Sequence, residues 1–274
     1  MTFFRSIEVF NGHMVQVETL DISSAEICYY NRPSPLRQQE NHDSLWIALP
    51  NESCFLLCVA DGAGGHRTPS QASASLLTQI KEYLDQHSLS LDSIIHAIEN
   101  ANQYIRHHFN QSRSTLVMAI IDEQTIRSLH IGDSKLVIIG GRGKLKYESI
   151  GHNLYEISTD SGLIDYIDRE LEVPSHVVTN MIGDPYFRMD VSTKMELAPN
   201  DTIVIGSDGL FDNISMEELC EDCRNFTTLS ELAESIRRKC DERMETCKQG
   251  ESEYKADDLS FIFYRRKSAT NKED

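Results

Sequence analysis

Residues 43–66 read DSLWIALPNESCFLLCVADGAGGH, and this stretch decides the fold class. Two apolar runs, 43–50 and 54–61, are separated by the turn-forming tripeptide Asn51-Glu52-Ser53. This pattern predicts a β-hairpin. The second run is apolar almost throughout, which indicates a strand buried on both faces. It ends at Asp61 in front of a glycine-rich turn, so the pattern predicts a carboxylate at the end of a buried strand.

Outside the hairpin, groups of strands and pairs of helices follow one another. Apolar residues recur at spacings of three and four from Leu76 to Leu84 and from Ile94 to Phe109, which predicts two core-facing helices. The remaining predicted elements are four strands between 114 and 150, an irregular stretch over 151–186 with a helical section near 161–172, strands at 190–198 and 201–209, helices at 216–224 and 229–247, and a strand at 258–267. This order favours an α+β fold with antiparallel sheets over a doubly wound parallel sheet.

The composition excludes several classes of protein. Of the 274 residues, 40% are hydrophobic and 25% charged, as in ordinary globular domains, and no linker or repeat divides 1–274, so we expect one domain. The net charge of −17 argues against nucleic acid as a partner, because phosphate backbones bind basic surfaces. No apolar run approaches the ~20 residues of a membrane span, and the first residues lack a secretion signal. We therefore expect a cytoplasmic protein with no membrane partner.

The seven cysteines fit reduced thiols of such a protein. An alternative is a zinc site at Cys220 and Cys223 with Cys240 and Cys247. Only the first pair has a usual zinc spacing, and all four cysteines lie in helix-like sequence. The sequence therefore favours packing over metal binding for these thiols.

Acidic residues border the apolar strands at four places. Asp61, Asp133 and Asp208 each follow a strand beside a glycine, and Asp257 precedes the last strand. Carboxylates that converge at strand ends repel one another unless a cation lies among them. Oxygen ligands of this kind suit Mg²⁺ or Mn²⁺. A carboxylate that bridges two such ions, about 3.5–4 Å apart, can hold a hydroxide for in-line attack on a phosphoryl group.

Four motifs match a known family in order and spacing: VADGAGGHR (59–67), GDS (132–134), SDGLFDNIS (207–215) and ADDLSFIFY (256–264). Together they resemble the metal-dependent (PPM, type 2C) serine/threonine phosphatases, and the compact bacterial members more than the larger eukaryotic ones. The resemblance extends over roughly 37–265. It implies a four-layer αββα sandwich, in which helix pairs flank two antiparallel sheets, in agreement with the element order.

The resemblance also implies how two or three Mn²⁺ or Mg²⁺ ions would bind. Asp61 would bridge two of the ions, and the carbonyl of Gly62 would bind one of them. Asp208 and Asp257 would complete the coordination of the second ion. Asp133, together with Asp208, would hold a third and weaker ion. Residues 151–186 would form a flap beside the site.

The segment 37–43 departs from the family pattern. Asp43 fits the last position of the family's Asn-Glu-Asp-like triplet and is expected among the metal ligands, but His42 stands where an acid or a glutamine is usual. Arg37 is expected to bind the substrate phosphate through its guanidinium, although it lies one residue upstream of the family position. Asp258 stands where the family has asparagine, and we expect it either to tighten metal binding or to pair with a base.

Two functions are compatible with these features. The first is a phosphatase that acts on phosphoserine and phosphothreonine in proteins by attack of a metal-bridging hydroxide, with Asp61, Asp208 and Arg37 as catalytic residues. The second is a pseudophosphatase that binds a protein partner on the same fold. The altered segment 37–43 supports the second function. The retained aspartates support the first, because a binding module has no physical need for repelling carboxylates.

Overall fold

Two antiparallel sheets form the centre of the structure, a computed structural model that describes residues 5–37, 40–64, 68–109, 111–162, 177–247 and 254–267. The strands are β1 (Arg5–Phe10), β2 (Glu18–Asp21), β3 (Ala25–Arg32), β4 (Asp43–Leu49), β5 (Cys54–Ala63), β6 (Arg113–Ser114), β7 (Leu116–Asp122), β8 (Thr125–Ile131), β9 (Lys135–Gly140), β10 (Lys144–Glu148), β11 (Asp190–Val191), β12 (Met195–Glu196), β13 (Thr202–Gly206) and β14 (Leu259–Arg266). The helices are α1 (Pro69–Gln86), α2 (Leu91–His108), α3 (Leu154–Asp160), α4 (Asp208–Phe211), α5 (Met216–Asn225) and α6 (Leu229–Cys247).

The strand order confirms the predicted fold class. The first sheet has the order β1-β4-β5-β7-β8-β11, with β6 beside β5 and β12 beside β8. The second sheet has the order β10-β9-β13-β14-β3-β2. Strands β4 and β5 form the predicted hairpin, in which Asp43 lies opposite Asp61. The fold is therefore α+β with antiparallel sheets.

Three apolar layers hold the sheets and helices together as an αββα sandwich. On β5, Leu56 and Cys58 belong to the layer shared with α1 and α2, whereas Phe55 and Leu57 belong to the layer between the sheets. A third layer joins Phe261 and its neighbours in the second sheet to α5 and α6. Burial of one such large side chain contributes about 1.5–3 kcal/mol. Among the described residues, no helix combines the length and the apolar character needed to cross a bilayer.

The sequence pattern did not predict the strands formed by residues 5–32. Strand β3 lies between β14 and β2, and its residues Ile27, Cys28 and Tyr30 are buried. Its apolar run is only four residues long and lies between Glu26 and Asn31, so it has no clear period. Pairing with β14 along the full length of β3 stabilises the strand instead, and this tertiary contact leaves no local signal.

Another prediction was wrong in extent, and a further one falls mostly outside the described residues. The strand predicted at 190–198 is reduced to β11 and β12, because between them Ser192 hydrogen-bonds the backbone of Ser128 through its own N–H and hydroxyl. The helix predicted near 161–172 is preceded by α3, which begins after Asn153 because that side chain accepts the N–H of Glu156. Residues 161–162 of the predicted helix form a turn, and its positions 163–172 lie outside the described residues.

Candidate active site

Four strand-end aspartates meet in one cleft of about 410 Å³. Asp61 lies near the end of β5, and Asp133 follows β8, so both come from the first sheet. Asp208 opens α4 directly after β13, and Asp257 precedes β14, so both come from the second sheet. Arg37 and Gly62 also line this cleft. Of the residues that the sequence singled out, the fold thus brings these six together from both sheets, whereas Asp43 does not line the cleft.

Two glycines allow the backbone to present these aspartates. A Cβ atom at Gly62 would lie 2.2 Å from the carbonyl oxygen of Pro69, so only glycine lets the start of α1 pack against β5. Gly132 has a φ of 98°, a backbone conformation that residues other than glycine rarely adopt. It turns the chain from β8 into Asp133. Gly62 is therefore required by close packing, and Gly132 is required by its backbone conformation.

Burial and the charges of neighbouring carboxylates disfavour the charged form of Asp61, Asp133 and Asp208. Burial, followed by the charge of Asp257, raises the pKa of Asp208 to about 7. Burial raises the pKa of Asp133 to about 6. The pKa of Asp61 lies well above its usual range, because the side chain is desolvated and Asp43 is close. A group of carboxylates with such raised pKa values lacks the positive charge that a divalent cation supplies.

Asp43 differs from the other predicted ligands because it is almost completely buried, with 1% of its surface exposed. Its Oδ2 accepts a hydrogen bond of 2.7 Å from the hydroxyl of Ser207. Its Oδ1 has no hydrogen-bond partner in the described part of the chain. Burial and then the charge of Asp258 raise its pKa. A buried acceptor without a partner is costly, so this oxygen fits a position beside an ion or a water of its coordination shell.

A lysine that the sequence analysis did not single out lies among the aspartates. The ammonium of Lys255 contacts Oδ2 of Asp208 and lies 3.0 Å from Oδ2 of Asp257 and 3.3 Å from Oδ2 of Asp212. Burial alone would lower the pKa of Lys255, but the charges of Asp208 and Asp257 outweigh burial and raise it. Lys255 precedes β14 in a loop, where no periodic pattern marks it as part of a site.

Arg37 reaches the cleft in spite of its shifted position in the sequence. Its Nη2 lies 2.7 Å from Oδ1 of Asp257 and 3.1 Å from Oδ2 of Asp258. Burial would lower the pKa of Arg37, but Asp258 and then Asp257 raise it. Asp258 therefore pairs with a base, which is one of the two outcomes expected for a carboxylate at this position.

The donors of the cleft fit a hard divalent cation. Among the described residues, four carboxylates line the cleft together with two cationic side chains, Arg37 and Lys255. The raised pKa values and the unpaired Oδ1 of Asp43 both indicate a shortage of positive charge. Carboxylate oxygens are the ligands that Mg²⁺ and Mn²⁺ prefer. By contrast, no group of three metal-type ligands in the described ranges includes a cysteine, so zinc at Cys220 and Cys223 is not supported.

A separate group of metal-type side chains consists of His130, His152 and Asp190, whose candidate ligand atoms lie within 4.8 Å of one another. The Nε2 of His130 donates a hydrogen bond of 2.8 Å to the carbonyl of Ile150. Burial lowers the pKa of both histidines and favours their neutral forms. The three residues come from β8, from the loop after β10 and from β11, so their spacing in the sequence gave no signal.

The hydrogen bonds of His152 argue against a metal ion in this group. Its Nδ1 accepts the backbone N–H of Gly132 at 3.1 Å and the amide of Asn180 at 2.6 Å. In a neutral imidazole the proton must then be on Nε2, which lies 3.2 Å from Oδ2 of Asp190. A nitrogen that carries a proton cannot bind a metal. His152 therefore supports the turn that precedes Asp133.

Comparison with known proteins identifies the family. The family model described as Stage II sporulation protein E (SpoIIE) matches residues 51–267. Protein phosphatase PhpP of Streptococcus pneumoniae is 29% identical over 196 residues, which cover 67% of this chain and 78% of that protein. The serine/threonine phosphatase Stp1 of Staphylococcus aureus has the same fold, with a TM-score of 0.74 and 17% identity over 94% of this chain and 99% of Stp1. The catalytic domain of the phosphatase PstP, solved with two manganese ions, gives a TM-score of 0.69 and 18% identity over 89% of this chain and 99% of that domain. The chain therefore belongs to the SpoIIE and type 2C-like family of metal-dependent protein phosphatases (PPM), the family that its motifs predict.

Proposed function

We propose that the protein removes phosphate from phosphoserine and phosphothreonine in proteins with the help of Mn²⁺ or Mg²⁺. One observation carries this proposal: Asp61, Asp133, Asp208 and Asp257 converge in one cleft, where burial raises the pKa values of the first three and the charges of neighbouring carboxylates add to this effect. Membership of the PPM family and the activity in the names of PhpP and Stp1 support it.

The aspartates are proposed to divide the ions among them. Asp61 and the carbonyl of Gly62 would bind the first ion, and Asp61, Asp208 and Asp257 the second. Asp133 and Asp208 would hold a third, weaker ion, and Asp43 would bind through its unpaired oxygen. When bound, the ions supply a water of lowered pKa as the nucleophile and positive charge for the phosphoryl oxygens. The protein's part is to hold these carboxylates still at the ends of paired strands.

Arg37 is proposed to bind the substrate phosphate. Its side chain is 44% exposed at the cleft, and a guanidinium can bind two phosphate oxygens at once. Val178 and Met181 line the same cleft. We therefore propose that residues 151–186, of which the structure describes 151–162 and 177–186, act as a flap beside the bound phosphoprotein.

The cysteines and the net charge suggest a cellular compartment and a kind of substrate. All seven cysteines are unpaired, which suits the reducing environment of the cytoplasm. The net charge of −17 favours substrates with a basic surface around the phosphorylated residue. Among the described residues, no feature of the cleft favours the pseudophosphatase, because buried carboxylates cost stability when no cation binds between them.

Turnover and metal binding test this proposal together. The purified protein should hydrolyse p-nitrophenyl phosphate and a phosphothreonine peptide with Mn²⁺ or Mg²⁺, and a chelator should abolish the activity. Asp208→Ala should lower kcat/KM by about 10³-fold or more, because a catalytic ion supplies several kcal/mol to the transition state. Asp222→Asn removes a remote carboxylate paired with Lys239 and serves as the control. An inactive protein that binds no Mn²⁺ in calorimetry would refute the proposal, and one that binds Mn²⁺ without turnover would favour the pseudophosphatase.

A further inference from the structure

One buried carboxylate organises the connection between β3 and β4. Asp258 is 2% exposed, and its Oδ1 accepts the backbone N–H of Ser34 at 2.6 Å. Its Oδ2 accepts the backbone N–H of His42 at 2.8 Å and a hydrogen bond from Nη2 of Arg37 at 3.1 Å. All three donors lie in the connection, which Asp258 therefore binds near its beginning, near its middle and at its end.

This set of contacts requires a carboxylate and not an amide. The two backbone N–H groups bind different oxygens of Asp258, so an asparagine would place its own NH₂ group against one of them. An asparagine would also lose the charge that attracts Arg37. The replacement of the family's asparagine by aspartate thus matches the donors that this chain presents.

The consequence for Arg37 is a fixed position at the edge of the cleft. Because its side chain is 44% exposed, it would otherwise sample many rotamers, and binding of phosphate would have to order it. The pair with Asp258 and Asp257 occupies Nη2 alone. In the described part of the chain, no hydrogen bond is assigned to Nε or Nη1, so these donors are available to a phosphate oxygen.

We propose that Asp258 is a positioning residue that compensates for the shifted place of Arg37 in the sequence and directs its guanidinium towards the substrate phosphate. This inference rests on the proposed phosphatase function, since it deepens the role of Arg37 in the same cleft. Asp258 acts through Arg37 and needs no contact with the substrate.

A second effect of the carboxylate opposes the first. A negative charge near the cleft also repels phosphate, so its removal could strengthen phosphate binding. However, Asp258 is buried and accepts hydrogen bonds from two backbone N–H groups and one guanidinium, which compensate most of its charge. The positioning of Arg37 is therefore expected to exceed the repulsion, and the sign of the measured change decides between the two effects.

The test measures binding of inorganic phosphate to the full-length, Mn²⁺-loaded protein by calorimetry. Asp258→Asn should weaken phosphate binding about tenfold, or about 1.4 kcal/mol, and leave the affinity for Mn²⁺ within about twofold. In an Arg37→Ala background the same substitution should change phosphate binding less than about twofold, because its effect passes through Arg37. Asp222→Asn, which removes another carboxylate in an ion pair, is the matched control and should change neither affinity.

Several results would overturn the inference. One is that Asp258→Asn lowers the phosphate affinity equally in the wild-type and Arg37→Ala backgrounds. The others are that Asp258→Asn leaves the phosphate affinity of the wild type unchanged or makes binding tighter. If Asp258→Asn does not fold, Arg37→Lys provides the test, since an ammonium has no separate nitrogens with which to hold Asp258 on one side and present a planar pair of donors to the phosphate on the other. It should weaken phosphate binding about tenfold at an unchanged unfolding temperature, and an unchanged affinity would again overturn the inference.

Turnover separates this inference from the proposed function. An active enzyme whose phosphate affinity does not respond to Asp258→Asn refutes the positioning role alone. A protein that binds Mn²⁺ but neither binds phosphate nor hydrolyses a phosphopeptide refutes both.

Discussion

Lys255→Gln is expected to strengthen the binding of a divalent cation to the cleft. The ammonium of Lys255 contacts Asp208 and lies 3.0 Å from Asp257, the two carboxylates proposed to bind the second ion. A cation that binds there must first displace the ammonium. Glutamine keeps much of the length of the side chain and removes the charge, so the ion no longer competes with an internal cation.

The size of the effect follows from the contacts of the ammonium. Lys255 pairs with three carboxylates, but its side chain is 40% exposed, so each pair is screened by solvent. Partly exposed pairs contribute about 0.2–1 kcal/mol each, which gives a cost of displacement of about 1–3 kcal/mol. The dissociation constant for Mn²⁺ should therefore fall about 5- to 150-fold in Lys255→Gln.

Calorimetry with Mn²⁺ and thermal unfolding with and without the ion measure this effect independently of turnover. Without metal, the variant should unfold at a lower temperature than the wild type, because the carboxylates lose their internal counter-ion. With saturating Mn²⁺ this difference should disappear. Lys239→Gln removes a similar ammonium from its pair with Asp222 and should leave Mn²⁺ binding unchanged. If Lys255→Gln binds Mn²⁺ as weakly as the wild type, the competition does not occur and the reasoning is wrong.

Three further predictions follow from the same structure. The pKa values of Asp133 and Asp208 are raised to about 6 and about 7, so the metal-free folded protein holds protons that the unfolded chain releases near pH 4. Its free energy of unfolding should therefore fall by a few kcal/mol as the pH rises from about 4 to 8. Urea titrations measure this decrease, which should be much weaker with Mn²⁺. His152→Ala should lower the free energy of unfolding by about 2–4 kcal/mol, since the buried N–H of Gly132 loses its acceptor and a buried side chain is truncated, while the exposed His96→Ala changes it little. Any stabilisation by Zn²⁺ should be the same in His152→Ala as in the wild type, and a loss of that stabilisation in the variant would contradict the hydrogen-bond assignment. Gly62→Ala should cost about 1–3 kcal/mol and most of the activity, because the added Cβ meets the carbonyl of Pro69, and wild-type unfolding of this variant would contradict the packing argument.

The sequence predicted the parts of the fold whose signal is local. The hairpin β4–β5 was predictable because its apolar runs are long and its turn is polar, and the helices α1 and α2 because their apolar residues repeat every three or four positions. Strand β3 was not predictable from its own residues, since its stability comes from pairing with β14, more than 200 positions away. Contacts of this length leave no pattern in a short window of sequence.

The same distinction between local signals and long-range contacts applies to the site. Asp61, Asp133, Asp208 and Asp257 were predictable because each stands at the end of an apolar strand, and the fold brings those ends together. Lys255 was missed, because its role depends on the distance to carboxylates that come from other segments. The network of His152 was missed for the same reason, since its partners lie on separate loops.

Arg37 and Lys255 are proposed to have different roles in the cleft, and Asp257 shows why. Its Oδ1 faces Arg37 and its Oδ2 faces Lys255, so each cation holds one side of the carboxylate. Arg37 has a second, buried partner in Asp258, which no proposed metal position requires, whereas the carboxylates of Lys255 include the proposed ligands Asp208 and Asp257. A divalent ion would therefore displace the lysine and leave the arginine in place. Binding of the metal and binding of the phosphate then use opposite sides of one aspartate, and neither step has to break the contact that the other requires.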